Sequence, residues 1–85
     1  MFASTISERL VAMKRDPGGG WTLDDVSFLC CGLGIRVVLP GADVSHCVVS
    51  HEKVEGLLTL PARRPIKPIY IILLVQLVER VLDLR

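Results

Sequence analysis

Ile35-Arg36-Val37-Val38-Leu39 runs into Pro40-Gly41-Ala42-Asp43. It is followed by Ser45-His46-Cys47-Val48-Val49-Ser50 and, after a polar interval, by Leu57-Leu58-Thr59-Leu60-Pro61. The apolar period is short and β-branched residues dominate, which reads as strands separated by turn chemistry. His51-Glu52-Lys53-Val54-Glu55-Gly56 is polar enough for a hairpin connection between the second and third strands. Pro61 should end the third, because proline has no N–H to give to a ladder. Three short strands joined by two short connections predict one antiparallel meander.

Outward from this centre the period becomes helical. On the N-terminal side, Thr5-Ile6-Ser7-Glu8 has the form of a capping box. Ile6, Leu10 and Met13 then recur at helical spacing until Asp16-Pro17 stops the pattern. Pro17 and Gly18 to Gly20 predict a flexible hinge. Thr22 is placed to cap a second helix with Asp25 at the third helical position, and Trp21 and Val26 sit where a hydrophobic staple would span that cap. Leu23, Val26, Leu29, Cys30 and Leu33 mark its apolar face, and Gly32 or Gly34 supplies a left-handed exit.

On the C-terminal side, Pro61-Ala62-Arg63-Arg64-Pro65-Ile66-Lys67 is a stiff basic connector. Pro68 is placed for the first turn of a final helix through about Leu82, whose apolar face wraps much of its circumference. The order predicts an α+β domain of two layers, a three-stranded antiparallel sheet with helices on one face and the other face open to a ligand. Residues 1–85 are expected to form a single domain, with 1–16 as an extra N-terminal helix.

Composition narrows the function classes. A chain of 85 residues has room for one small core, which excludes a multidomain enzyme. Hydrophobic residues make up 51% and charged residues 22%, too apolar and too weakly charged for a disordered chain. The formal net charge of +1 argues that any contact with nucleic acid is local, because binding by counterion release needs a clear excess of Lys and Arg. Three cysteines, two of them adjacent, do not write a secreted disulfide framework. Met1 to Lys14 lacks the uninterrupted apolar block of a secretory signal, so a cytoplasmic location is expected. Ile69 to Val78 is about half of the ~20 residues that a membrane-spanning helix requires, and no membrane partner is expected.

Alternation along the strands sorts the candidate chemistry. Cys47 and Val49 should face the core, and His46, Val48 and Ser50 the open side. In the first strand Ile35, Val37 and Leu39 oppose Arg36 and Val38, so Arg36 and His46 are expected on one face. Arg63, Arg64 and Lys67 form the densest basic patch of the chain and can hold a phosphate. An imidazole beside such cations suits RNA strand cleavage, which needs proton transfer at the attacking 2′-OH and charge stabilisation at phosphorus, without metal or other cofactor. His51 is not expected as a second proton-transfer group for His46 unless the strand bulges. Five positions along a strand amount to about 16 Å and an odd offset places the rings on opposite faces. Ser45 is best read as a turn residue at the strand entrance. The cysteines and histidines lack the paired spacing of a zinc module.

These features together resemble the HicA toxin family, the small ribonuclease toxins of HicA–HicB toxin–antitoxin pairs. The residues that carry the resemblance are the P-x-x-x-x-T-x-x-D approach to a helix (Pro17 to Asp25), the Cys-Gly-x-Gly-Ile helix exit (Cys31 to Ile35), Val44-Ser45-His46 where the family has Gly-Ser-His, and Leu60 to Tyr70 before the last helix. The resemblance covers Lys14 to Leu84. It implies a fold similar to the double-stranded-RNA-binding domain, with α-β-β-β-α order. It also implies an endoribonuclease acting on mRNA in a bacterial stress response, with His46 catalytic and Ser45, Arg36, Arg63, Arg64 and Lys67 at the substrate. A HicB-type antitoxin would neutralise it.

Two other readings stand beside this one. Val44 in place of the family Gly, together with the low net charge, motivates a HicA-like module that binds RNA or protein without cleaving. The breadth of the apolar face of the last helix motivates a homodimer through that helix.

Overall fold

A computed structural model describes residues 5–38, 46–62 and 65–84 of the chain. The elements are helices α1 (Ile6–Arg15) and α2 (Leu23–Cys31), strands β1 (Arg36–Val38), β2 (His46–His51) and β3 (Val54–Pro61), and helix α3 (Pro68–Asp83). The strands form one antiparallel sheet in the order β1-β2-β3, so the chain is an α+β domain with helices before and after a meander. From α2 onward the order is α-β-β-β-α, as expected from the sequence. No helix among the described residues is long and apolar enough to cross a membrane.

The helix ends follow from local chemistry. At α1, Thr5 Oγ1 accepts from the Glu8 N–H at 3.1 Å, and the Thr5 N–H donates to Glu8 Oε1 at 3.1 Å, a closed capping box. At α2, the Thr22 N–H donates to Asp25 Oδ2 at 2.9 Å. That helix exits through Gly34 rather than Gly32. Gly34 has φ of 71°, and the following Ile35 N–H reaches back to the Cys30 carbonyl at 3.1 Å, the bond that closes a glycine-terminated helix end. Pro68 occupies the first turn of α3, where its missing N–H is no loss.

The segment Pro17–Gly20, expected as a hinge, is a tied turn. The Asp16 carbonyl accepts from the Gly19 N–H at 3.0 Å and from Trp21 Nε1 at 2.7 Å. The basic connector is tied as well: Ile66 is buried, and its N–H donates to the Trp21 carbonyl at 2.9 Å.

One apolar cluster holds the layers together. Val26, Leu29 and Cys30 of α2 and Ile71, Leu74, Val78 and Val81 of α3 are buried against Cys47, Val49 and Leu60 of the sheet. Helix α2 lies against β1 and α3 against β3, while α1 packs across α2 and α3 through Leu10 and Met13. The half-buried ion pair Arg9–Asp25, at 2.8 Å, fastens α1 to α2, and the same guanidinium lies 4.2 Å from the centre of the Phe28 ring.

The hairpin differs from the sequence expectation. Its turn is only Glu52-Lys53, with His51 paired to Val54, so β3 begins three residues before Leu57. The polar interval Val54–Gly56 is strand because the ladder absorbs it in a bulge. Glu55, Gly56 and Leu57 of β3 stand opposite Ser50 alone, and Gly56 has φ of 93°, open only to glycine at low cost.

Candidate functional site

The two faces of the sheet divide as alternation predicts. On the helix side, Cys47 and Val49 pair with Leu60 and Leu58, and Val49 also pairs with Val37; Cys47, Val49 and Leu60 are fully buried. His46, Val48 and Ser50 therefore point to the other side, together with Arg36 and Val38 of β1 and Thr59 and Pro61 of β3. No polar or charged side chain is buried among the described residues. His46 is exposed, at the end of β2 where Pro61 is its cross-strand partner.

That pairing sets the site's geometry. Pro61 is also the first residue of the basic connector, so the sheet register brings the histidine beside the point where the cationic segment leaves the sheet. The far end of the connector is anchored by Ile66. Lys67, exposed, is the N-cap residue of α3, and its carbonyl accepts from the Tyr70 N–H at 3.0 Å and the Ile71 N–H at 3.4 Å. No acidic side chain stands in the first turn of α3, so the positive end of the helix dipole and the Lys67 ammonium act in the same sense on an anion. Ser45, Arg63 and Arg64, and with them Val44 and the Pro40–Asp43 turn, lie outside the described residues.

Arg36 shares the face with His46 but stands toward its other end. It pairs with Ser50, four residues along β2 from His46, which sets the two positions about 13 Å apart along the strand. His51 is likewise separate: at the hairpin turn its Nδ1 accepts from the Lys53 N–H at 3.0 Å, a turn-fixing contact. The middle of the open face carries Val38, Val48 and Thr59, and the sheet holds no Phe, Tyr or Trp side chain among the described residues. Among those residues no group of three or more His, Cys, Asp or Glu side chains is arranged to hold a metal ion.

Two roles at this site were not read from the sequence, Pro61 as the cross-strand partner of His46 and Lys67 as a helix cap. Pro61 could be read only as the end of a strand, because its partner depends on the bulge at Gly56. An isolated glycine in a strand-like run is the signal that was available for that bulge. Lys67 as a helix cap has no side-chain signature, since it caps through its backbone. Comparison with protein-family models, with curated proteins and with solved structures gives no match to this chain.

Proposed function

We propose that the chain is a HicA-type toxin, a metal-independent endoribonuclease of the cytoplasm that cleaves mRNA and is neutralised by a HicB-type antitoxin. The observation that carries this reading is the position of His46: exposed on the open sheet face and paired with Pro61, where the Arg63-Arg64 segment begins. In the proposed reaction His46 takes the proton of a ribose 2′-OH as that oxygen bonds to phosphorus. The bond from phosphorus to the 5′-oxygen breaks, the leaving oxygen is protonated by imidazolium or water, and a cyclic phosphate results. Arg63, Arg64 and Lys67 hold the phosphate and offset its developing charge.

Inducible expression of the chain in a bacterium tests the reading. Growth should stop with the native sequence and continue with His46→Ala, and the purified native protein should cleave RNA in the presence of a chelator. Equal growth from both sequences would remove the catalytic role. The phosphate role has its own readout: replacing Arg63, Arg64 and Lys67 by Ala should flatten the dependence of log affinity on log salt by about 2 for single-stranded RNA.

A second reading, a HicA-like module that binds without cleaving, is favoured by the valine-rich centre of the open face and the lack of a stacking ring there. Tight RNA or protein binding with no cleavage by the native chain would select it.

A further inference from the structure

Helix α3 is apolar on more than the side it turns to the core. Ile69, Ile72, Leu73 and Leu82 are exposed on it, and Leu57 of β3 is 73% exposed. Leu57 borders a groove of about 240 Å³ between β3 and α3, whose walls include Leu58, Leu73 and Leu77. The same groove carries one acid and one base, Glu55 and Arg80, and neither forms an ion pair among the described residues. A strongly exposed leucine beside a groove walled partly by leucines is a candidate interaction surface. Its balanced charge does not suit a nucleic acid or an anionic lipid surface, both of which call for a cluster of cations.

A surface that holds a projecting leucine beside an apolar groove, and a carboxylate beside a guanidinium, is complementary to itself. That is the requirement of an isologous two-fold contact, in which each residue of one copy meets its counterpart's partner on the other. We propose that a second copy of this chain docks here, Leu57 of each copy entering the groove of the other and Glu55 of each meeting Arg80 of the other. The contact lies along the β3–α3 edge, away from the His46 end of the open face, and is independent of the ribonuclease reading.

Analytical ultracentrifugation of the full chain over a concentration series tests this, with circular dichroism to verify folding. The native chain should form a dimer at micromolar concentration. Leu57→Glu should weaken the dimer about tenfold or more. Glu55→Arg and Arg80→Glu should each weaken it by juxtaposing like charges, and the doubly reversed chain should regain most of the native affinity. A monomeric mass up to millimolar concentration, a dimer indifferent to Leu57→Glu, or a double reversal no tighter than the single ones would each overturn the proposal.

Discussion

His46 faces Pro61 across the β2–β3 ladder, and the bulge at Glu55–Leu57 is what aligns them. Near the turn the paired residue numbers sum to 105 (His51 and Val54), and beyond the bulge to 107 (Val49 and Leu58, His46 and Pro61), a slip of two residues. Without it His46 would face Thr59. A slip of two preserves the side-chain faces but moves β3 along its partner, which carries the start of the basic connector to the histidine. Gly56→Ala should therefore destabilise the fold by about 1 kcal/mol or more. The added Cβ meets nothing within 4 Å, so the whole cost is backbone strain at positive φ. Urea unfolding gives the number, and an unchanged midpoint would show that Gly56 does not hold the register.

Ile66→Ala should cost about 2–4 kcal/mol, the usual penalty for truncating a buried isoleucine. Its side chain is 3% exposed and its amide is bonded to Trp21, so it secures the connector to the start of α2. The proposed ribonuclease activity, if assayed well below the unfolding midpoint, should fall with it, whereas Pro65→Ala, at an exposed neighbouring position, should leave stability within about 0.5 kcal/mol. A loss under 1 kcal/mol for Ile66→Ala would mean that the connector is not anchored there.

The elements were legible wherever short-range chemistry determines them. Thr5 with Glu8 and Thr22 with Asp25 mark helix starts, Pro68 marks a first turn, and the alternation around Cys47 and Val49 sorts core from open face. Long-range facts were not. Composition alone reads Gly18 to Gly20 as flexible, but the Asp16 carbonyl ties that turn through Gly19 and Trp21. Alternation places Arg36 and His46 on one face, but only the register with Ser50 reveals that they stand at its two ends. Strand polarity and face are local properties, whereas distance along a sheet is set by pairing.

The Arg9–Asp25 pair should show a coupling of about 0.5–1 kcal/mol in a double-mutant cycle of Arg9→Gln with Asp25→Asn. Both side chains are about a quarter or less exposed, and the pair is screened only in part. Asn at position 25 retains an oxygen for the Thr22 N–H, so the cycle removes the charge and spares the cap. Arg9→Gln alone should cost more than the coupling, because it also uncovers Phe28. Zero coupling at low salt would mean that the Arg9–Asp25 charge pairing contributes nothing to the docking of α1 on α2.

Alkali should loosen the core through Cys30. Burial, reinforced by the neighbouring Cys47 and Cys31, pushes its thiol up from 9.0 to about 12. Burial raises the Cys47 thiol too, partly offset by a hydrogen bond with the Leu60 backbone. Between pH 9 and 12 the unfolded chain has released the Cys30 proton and the folded chain keeps it, so the unfolded state binds fewer protons and stability falls as pH rises. The contribution is complete below pH 9 and declines by up to about 1.4 kcal/mol per pH unit within that window. Cys30→Ala should be less stable near neutrality because it leaves a small cavity, but it lacks this titration. The stability gap between native and variant chains should therefore narrow by about 1 kcal/mol on going from about pH 8 to about pH 10. Denaturant unfolding under reducing conditions measures the gap, and a constant difference across that range would mean that the Cys30 thiol ionises as readily in the folded protein as in the unfolded one.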